Sequence, residues 1–178
     1  MSIDRKSWEI KDEAILGDLV ALMEVTDQEK NLLVECKTQA QTAASDMVDD
    51  FYHRLTSQDV TAEFLDGMVE HLRGTLQDWF VQIFSGEYGA EYVNSRLAIG
   101  KTHVRIGLPV RYPLAMMDIL MEHGEKVASS QGEGGVKAFR KLAALDIAIF
   151  NQAYENAQLD HLSELVGNER LARRLLQK

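Results

Sequence analysis

Apolar residues recur at intervals of three and four along most of this chain, the spacing that lines one face of an α-helix. Leu65, Met68, Leu72, Leu76, Trp79 and Ile83 form the strongest stripe and predict an amphipathic helix. Trp8, Ile15, Leu19 and Leu22 mark a helical segment near the N-terminus. After it, Thr26-Asp27-Gln28-Glu29 places a hydroxyl three residues before a carboxylate, a capping signal that opens a helical run to Leu55, bent near 37–41. A short connection is expected over 56–62, and another helix over 88–106. Pro113 suits the first turn of a helix that continues through Leu114, Met117 and Met121. Gly132-Glu133-Gly134-Gly135 reads as a loop before a last long helix bearing Phe139, Leu142, Asp146, Ile149, Ala153 and Tyr154. No stretch alternates with period two, so the expected fold class is all-α, with six to eight helices.

Composition narrows the class. With 178 residues, 46% hydrophobic and 26% charged, the chain suits one soluble globular domain with a substantial core. A net charge of −9 disfavours nucleic acid and anionic membrane as partners, although Arg170, Arg173 and Arg174 form a local basic patch. Cys36 is the only cysteine, which excludes an intramolecular disulfide and any multi-cysteine metal site and fits a reducing compartment. Met1-Ser2-Ile3-Asp4-Arg5-Lys6 lacks the apolar core of a signal peptide, and no later run matches a membrane span, so a cytoplasmic location is expected.

The chemistry centres on one histidine. Ile99, His103 and Ile106 share a helical face, and Gly107-Leu108-Pro109 stops that helix at once. An imidazole on an apolar stripe needs a partner, either a hydrogen bond within the core or a haem iron. Other metal chemistries lose their motifs: Asp50, Met68, Gly100, Leu120 and Gln158 stand three positions before the five histidines, so there is no Glu-x-x-His pair for a di-iron bundle. Histidines four apart and a glycine-rich phosphate loop are absent as well. Val48, Tyr52 and Leu55 share another face and turn a phenol inward, toward a backbone carbonyl or a ligand. Thr75 interrupts the apolar stripe between Leu72 and Trp79, beside Gly74, which permits close approach of another group. The Thr75 hydroxyl serves either a ligand or its own helix carbonyl. His53, His123 and His161 have polar neighbours and are expected at the solvated surface.

The stretch Ile99-Gly100-Lys101-Thr102-His103-Val104-Arg105-Ile106-Gly107-Leu108-Pro109 resembles the proximal-histidine segment of the globin-coupled sensors, a bacterial and archaeal branch of the globins. Phe51-Tyr52-His53-Arg54-Leu55 is similar to the family segment whose tyrosine donates a hydrogen bond to bound oxygen, and Leu72 and Thr75 match positions that shape the same side by bulk and polarity. The likeness runs from about 26 to 154. It implies a globin fold with an extra N-terminal helix and two long last helices suited to a dimeric four-helix bundle. The domains expected are an extension over 1–25, a sensor globin over 26–158 and a helical linker over 159–178, rich in leucine from Leu162 to Leu176.

The same resemblance implies haem b, with His103 as its iron ligand and Phe51, Leu72, Trp79, Ile99, Ile106, Leu108, Met116 and Met117 as pocket walls. Tyr52, Leu72 and Thr75 would meet the gas, which is oxygen, carbon monoxide or nitric oxide, and a neutral donor such as Tyr52 favours oxygen over carbon monoxide. His71 competes for that side, because ordinary globins place a histidine on this helix. The implied role is an oxygen sensor domain, a homodimer that is not itself an enzyme, reporting to a C-terminal output module outside this sequence. A diguanylate cyclase is favoured over a histidine kinase or a chemotaxis-type coiled coil. A haem enzyme consuming nitric oxide or oxygen, or a cofactor-free helical dimerisation module, are the alternatives.

Overall fold

Residues 13–65 and 67–176 are described by a computed structural model. Among them α1 (Glu13–Met23), α2 (Asp27–Glu35), α3 (Lys37–Thr56), α4 (Asp59–Ala62), α5 (Val69–Gln82), α6 (Ala90–Arg105), α7 (Arg111–Ala128), α8 (Gly132–Val166) and α9 (Glu169–Leu176) follow one another with no strand. The all-α class holds. Trp8 lies outside the described residues, as do Gln177 and Lys178.

The capping signal does what its chemistry requires. Glu29 N–H donates to Thr26 Oγ1 at 3.2 Å, and Thr26 N–H donates to the Glu29 carboxylate at 2.9 Å, so two donors that a helix start leaves orphaned satisfy each other. The expected bend falls at buried Cys36, which closes α2 and precedes α3. Lys141 then pins the α1–α2 turn to α8, donating to the Glu24 carbonyl at 2.9 Å and pairing with Glu29 at 2.8 Å.

Three expectations are corrected. Residues 56–62 include a helix, α4, rather than a plain connection. Leu65 belongs to a single 3-10 turn (Glu63–Leu65) and not to α5, because Gly67 at φ +70° reverses the chain between them. Gly132-Glu133-Gly134-Gly135 is the first turn of α8: only Gly132 takes a positive φ, and Gly135 is there because the Ala128 carbonyl leaves no room for a Cβ.

α8 is the axis of the molecule. Its buried side carries Ala138, Phe139, Leu142, Leu145, Ile149 and Ala153, and α1, α2, α6 and α7 all pack against it. α3 buries Ala40, Ala44, Met47, Val48 and Tyr52 and packs on α5 and α7. The α3–α5 pair and the α6–α8 pair form two walls, joined where Arg96 of α6 reaches Trp79 and Gln82 of α5. Over 159–176 the helix is interrupted: Gly167, left-handed at φ +69°, ends α8, and α9 packs on it through buried Ala172.

Candidate functional site

The C-terminal turn of α6 delivers His103. Gly107 at φ +72° turns the chain immediately beyond it, and Leu108 N–H donates to the His103 carbonyl at 3.0 Å. The ring Nδ1 lies 2.7 Å from the Ile99 carbonyl. A carbonyl only accepts, so Nδ1 carries the proton and Nε2 keeps its lone pair. Burial pushes the imidazole below its usual pKa, with the Ile99 bond pulling the other way, so the ring is neutral at neutral pH. A neutral imidazole, its tautomer fixed by a backbone oxygen, is the form in which histidine binds a metal. Phe150 of α8 meets this ring edge-on, with centroids 5.3 Å apart.

The other wall presents Tyr52. It is 7% exposed, and its hydroxyl has no hydrogen-bond partner among the described residues. Burial raises its pKa to about 12 despite the nearby Arg73 charge, so the phenol stays protonated and able to donate. Phe51 packs against it edge-on at 5.5 Å. On α5, Leu72 and Trp79 are half-buried, whereas Thr75 and His71 are exposed. The Thr75 hydroxyl makes no bond back to its own helix, and a Cβ at Gly74 would meet nothing within 4 Å, so no protein group makes the close approach expected there.

The remaining wall residues divide. Ile99, Leu108 and Met117 are half-buried and Ile106 is 41% exposed, while Met116 is buried within the core itself. Half-exposed Leu55, Leu65, Leu72, Leu76 and Trp79 lie against that core without being enclosed by it. Half-buried apolar side chains on both walls, an imidazole with a free Nε2 and a protonated phenol without a protein partner among the described residues are the chemistry that a flat apolar macrocycle with a central metal needs; the residues present fit haem.

His53 and His161 are exposed as expected, but His123 is not freely solvated: its side chain is 14% exposed and its Nε2 lies 2.8 Å from the Asp50 carboxylate, tying α7 to α3. Among the described residues no cluster of histidine, cysteine and carboxylates stands ready for a metal ion, and no helix is long and apolar enough to cross a membrane.

A buried polar cluster went unread in the sequence. Arg96 and Asp146 are 1% and 2% exposed, with Arg96 Nε 3.3 Å from the Asp146 carboxylate. Arg96 also donates to the Gln82 side chain and, at 3.0 Å, to the Trp79 carbonyl, and its guanidinium lies 3.7 Å from the centre of the Tyr92 ring. Tyr92 donates its hydroxyl to Asp146. Burial pushes Asp146 above the usual carboxylate range, with Arg96 and Tyr92 pulling it back. The signal was available: Asp146 falls on the stripe of Leu142 and Ile149, and Arg96 sits among Tyr92, Val93 and Leu97.

Comparison with known proteins gives the family and the fold. The model of the protoglobin family matches residues 12–160. The heme-based aerotactic transducer HemAT of Halobacterium salinarum is 27% identical over 144 residues, covering 75% of this chain and 29% of that protein, so the chain spans under a third of that relative's length. The globin domain of the Geobacter sulfurreducens globin-coupled sensor superposes with a TM-score of 0.72 at 28% identity, covering 78% of this chain and 96% of that one. The chain belongs to the protoglobin family and has the globin fold.

Proposed function

We propose that this chain is a haem-based gas-sensing domain, with haem b held through His103 Nε2 and oxygen as its principal ligand. The observation that carries the reading is the pairing of a histidine whose Nδ1 is committed to Ile99 with a buried tyrosine whose hydroxyl is committed to nothing among the described residues. Haem, when bound, would supply an iron able to take up oxygen, carbon monoxide or nitric oxide. The chain supplies the rest. Ile99 fixes the histidine tautomer, Tyr52 presents a neutral donor that favours oxygen, and Phe51, Leu72, Trp79, Ile99, Ile106, Leu108 and Met117 exclude water. Met116 backs the wall from within the core, Leu72 limits the space by bulk, and Thr75 adds a second, weaker polar contact.

The relatives support a sensing role: one is named an aerotactic transducer and the other a globin-coupled sensor. The segment itself then carries no catalysis. It works in the cytoplasm as a homodimer through α7 and α8, and its ligand state reaches a C-terminal output module, for which a diguanylate cyclase is our first choice. The test is the visible spectrum of the haem-reconstituted protein, reduced without oxygen and then exposed to air. A reversible spectral change that is lost in His103→Ala, together with stoichiometric haem, is the expected result. Haem uptake indifferent to His103 would sink the reading.

A further inference from the structure

We infer that Phe150 and Tyr154 on α8 are positioning residues for His103, clamping the imidazole and the turn that follows it so that their setting and that of α8 change together. The haem part of this inference rests on the function proposed above. Its geometry stands on three contacts within little more than one turn of α8. At Gly100 the two helices press together so closely that a Cβ there would lie 2.5 Å from Ala153 Cβ and 3.3 Å from the Phe150 carbonyl. One turn further along α6, the Phe150 ring meets His103 at 5.3 Å and 76°. Beyond the end of α6, the Tyr154 hydroxyl donates to the Leu108 carbonyl at 2.9 Å.

These contacts act on different freedoms of the same residue. The hydrogen bond of His103 is to Ile99, four residues back in its own helix, so it fixes the tautomer but ties the ring to nothing outside α6. Phe150 supplies that outside restraint, since an edge-on aromatic neighbour blocks rotation of the ring. Tyr154 acts through the backbone: Leu108, whose carbonyl it holds, gives its own N–H to the His103 carbonyl at 3.0 Å. The Phe150 and Tyr154 rings are also 5.3 Å apart, so the two restraints brace each other. The Gly100–Ala153 contact leaves α6 no slack there, and a displaced His103 must push on a helix that runs from Gly132 to Val166.

The experiment uses the full chain with Tyr154→Phe and with Phe150→Leu, which keeps an apolar side chain but removes the ring. In the protein without haem, amide exchange at Leu108 is expected to run about three- to tenfold faster in Tyr154→Phe, the loss of one neutral hydrogen bond. In the haem-loaded ferrous protein, both variants are expected to keep full haem content while the iron–histidine stretching band moves in the resonance Raman spectrum. Faster exchange with an unmoved band overturns the positioning role and leaves a contact that serves folding alone. Unchanged exchange in Tyr154→Phe with an unmoved band in both variants overturns it entirely. A wild-type chain that holds no haem through His103 sinks the sensor reading by itself. The clamp is then judged by the His103 ring-proton shifts in the NMR spectrum of the haem-free chain, where shifts unmoved in both variants refute it and shifts moved in both uphold it.

Discussion

Two sets of polar groups on largely buried residues are treated in opposite ways. Where α5 ends and α6 begins, Arg96 and Asp146 are 1% and 2% exposed, and their nitrogens and oxygens are partnered by each other, Tyr92, Gln82, Ser95 and the Trp79 backbone. On α3, Tyr52 is 7% exposed and its hydroxyl is partnered by nothing among the described residues. An unsatisfied buried polar group costs about 1–3 kcal/mol, and a buried charge without its partner costs more. The fully satisfied cluster therefore fastens helices α5, α6 and α8 together, whereas the Tyr52 hydroxyl, not sealed from solvent and without a protein partner among the described residues, is left open to a ligand. Satisfaction, rather than burial, separates the groups that build this fold from those that serve its site.

The comparison breaks most easily at the satisfied end. Asp146→Ala strands the Arg96 charge in the core and is expected to cost about 3–5 kcal/mol in urea unfolding. The double change Arg96→Met with Asp146→Leu removes both charges and should recover most of that loss, because the penalty lies in the orphaned partner. A single variant within about 1 kcal/mol of wild type would show that the cluster does not fasten the helices.

At the unsatisfied end the effects move from stability to ligand. Tyr52→Phe removes a hydroxyl that supports no contact in the protein, so its unfolding midpoint should stay within about 0.5 kcal/mol of wild type. Oxygen dissociation from the haem-loaded protein, followed by stopped flow, should quicken about tenfold, as the loss of one hydrogen bond of about 1.4 kcal/mol implies. Thr75→Val, at an exposed position, should change that rate by less than about threefold. Unaltered oxygen kinetics in Tyr52→Phe would remove the phenol from the site and dissolve the contrast.

How much of this was legible follows from range. The helices were read from spacing because amphipathic periodicity is local, and the Thr26–Glu29 box because its partners lie three residues apart. Leu65 and residues 132–135 were misread where the same letters serve two geometries: a stripe continues across the reversal at Gly67, and glycine marks close helix packing at Gly135 as readily as a loop. His103 and Tyr52 stood out because each is a polar group on an apolar face. The Arg96–Asp146 pair is 50 residues apart in sequence and the Tyr154–Leu108 bond 46, so neither pairing leaves a local pattern. The resemblance pointed to a pocket wall at both Met116 and Met117, yet adjacent helical residues face different ways, and Met116 turns into the core.

The smallest effect sharpens the contrast through the sign of its pH dependence. Burial pushes Glu29 upward, but hydrogen bonds from Lys141 and Thr26 outweigh it and hold its pKa below the usual carboxylate range. The unfolded chain therefore takes up this proton first, so the Glu29 contribution is present above about pH 4.3 and is lost as pH falls through the folded value. Asp146 runs the other way. Its pKa is raised by burial, so the folded state protonates first, and its contribution is present below about pH 3.9 and lost as pH rises through the folded value. His103, held low by burial, adds a fall that begins near pH 6.5 and is common to the variants compared. Urea midpoints measured between pH 7 and 3 separate the two carboxylates. Glu29→Gln should flatten the acid fall by less than about 1 kcal/mol, since the Lys141 pair is partly open to solvent. Asp146→Asn should steepen that fall, because it removes an opposing contribution. If both variants shift the acid limb in the same direction, the fully buried carboxylate and the capping-box carboxylate are held alike, and burial does not set the sign of the Asp146 contribution.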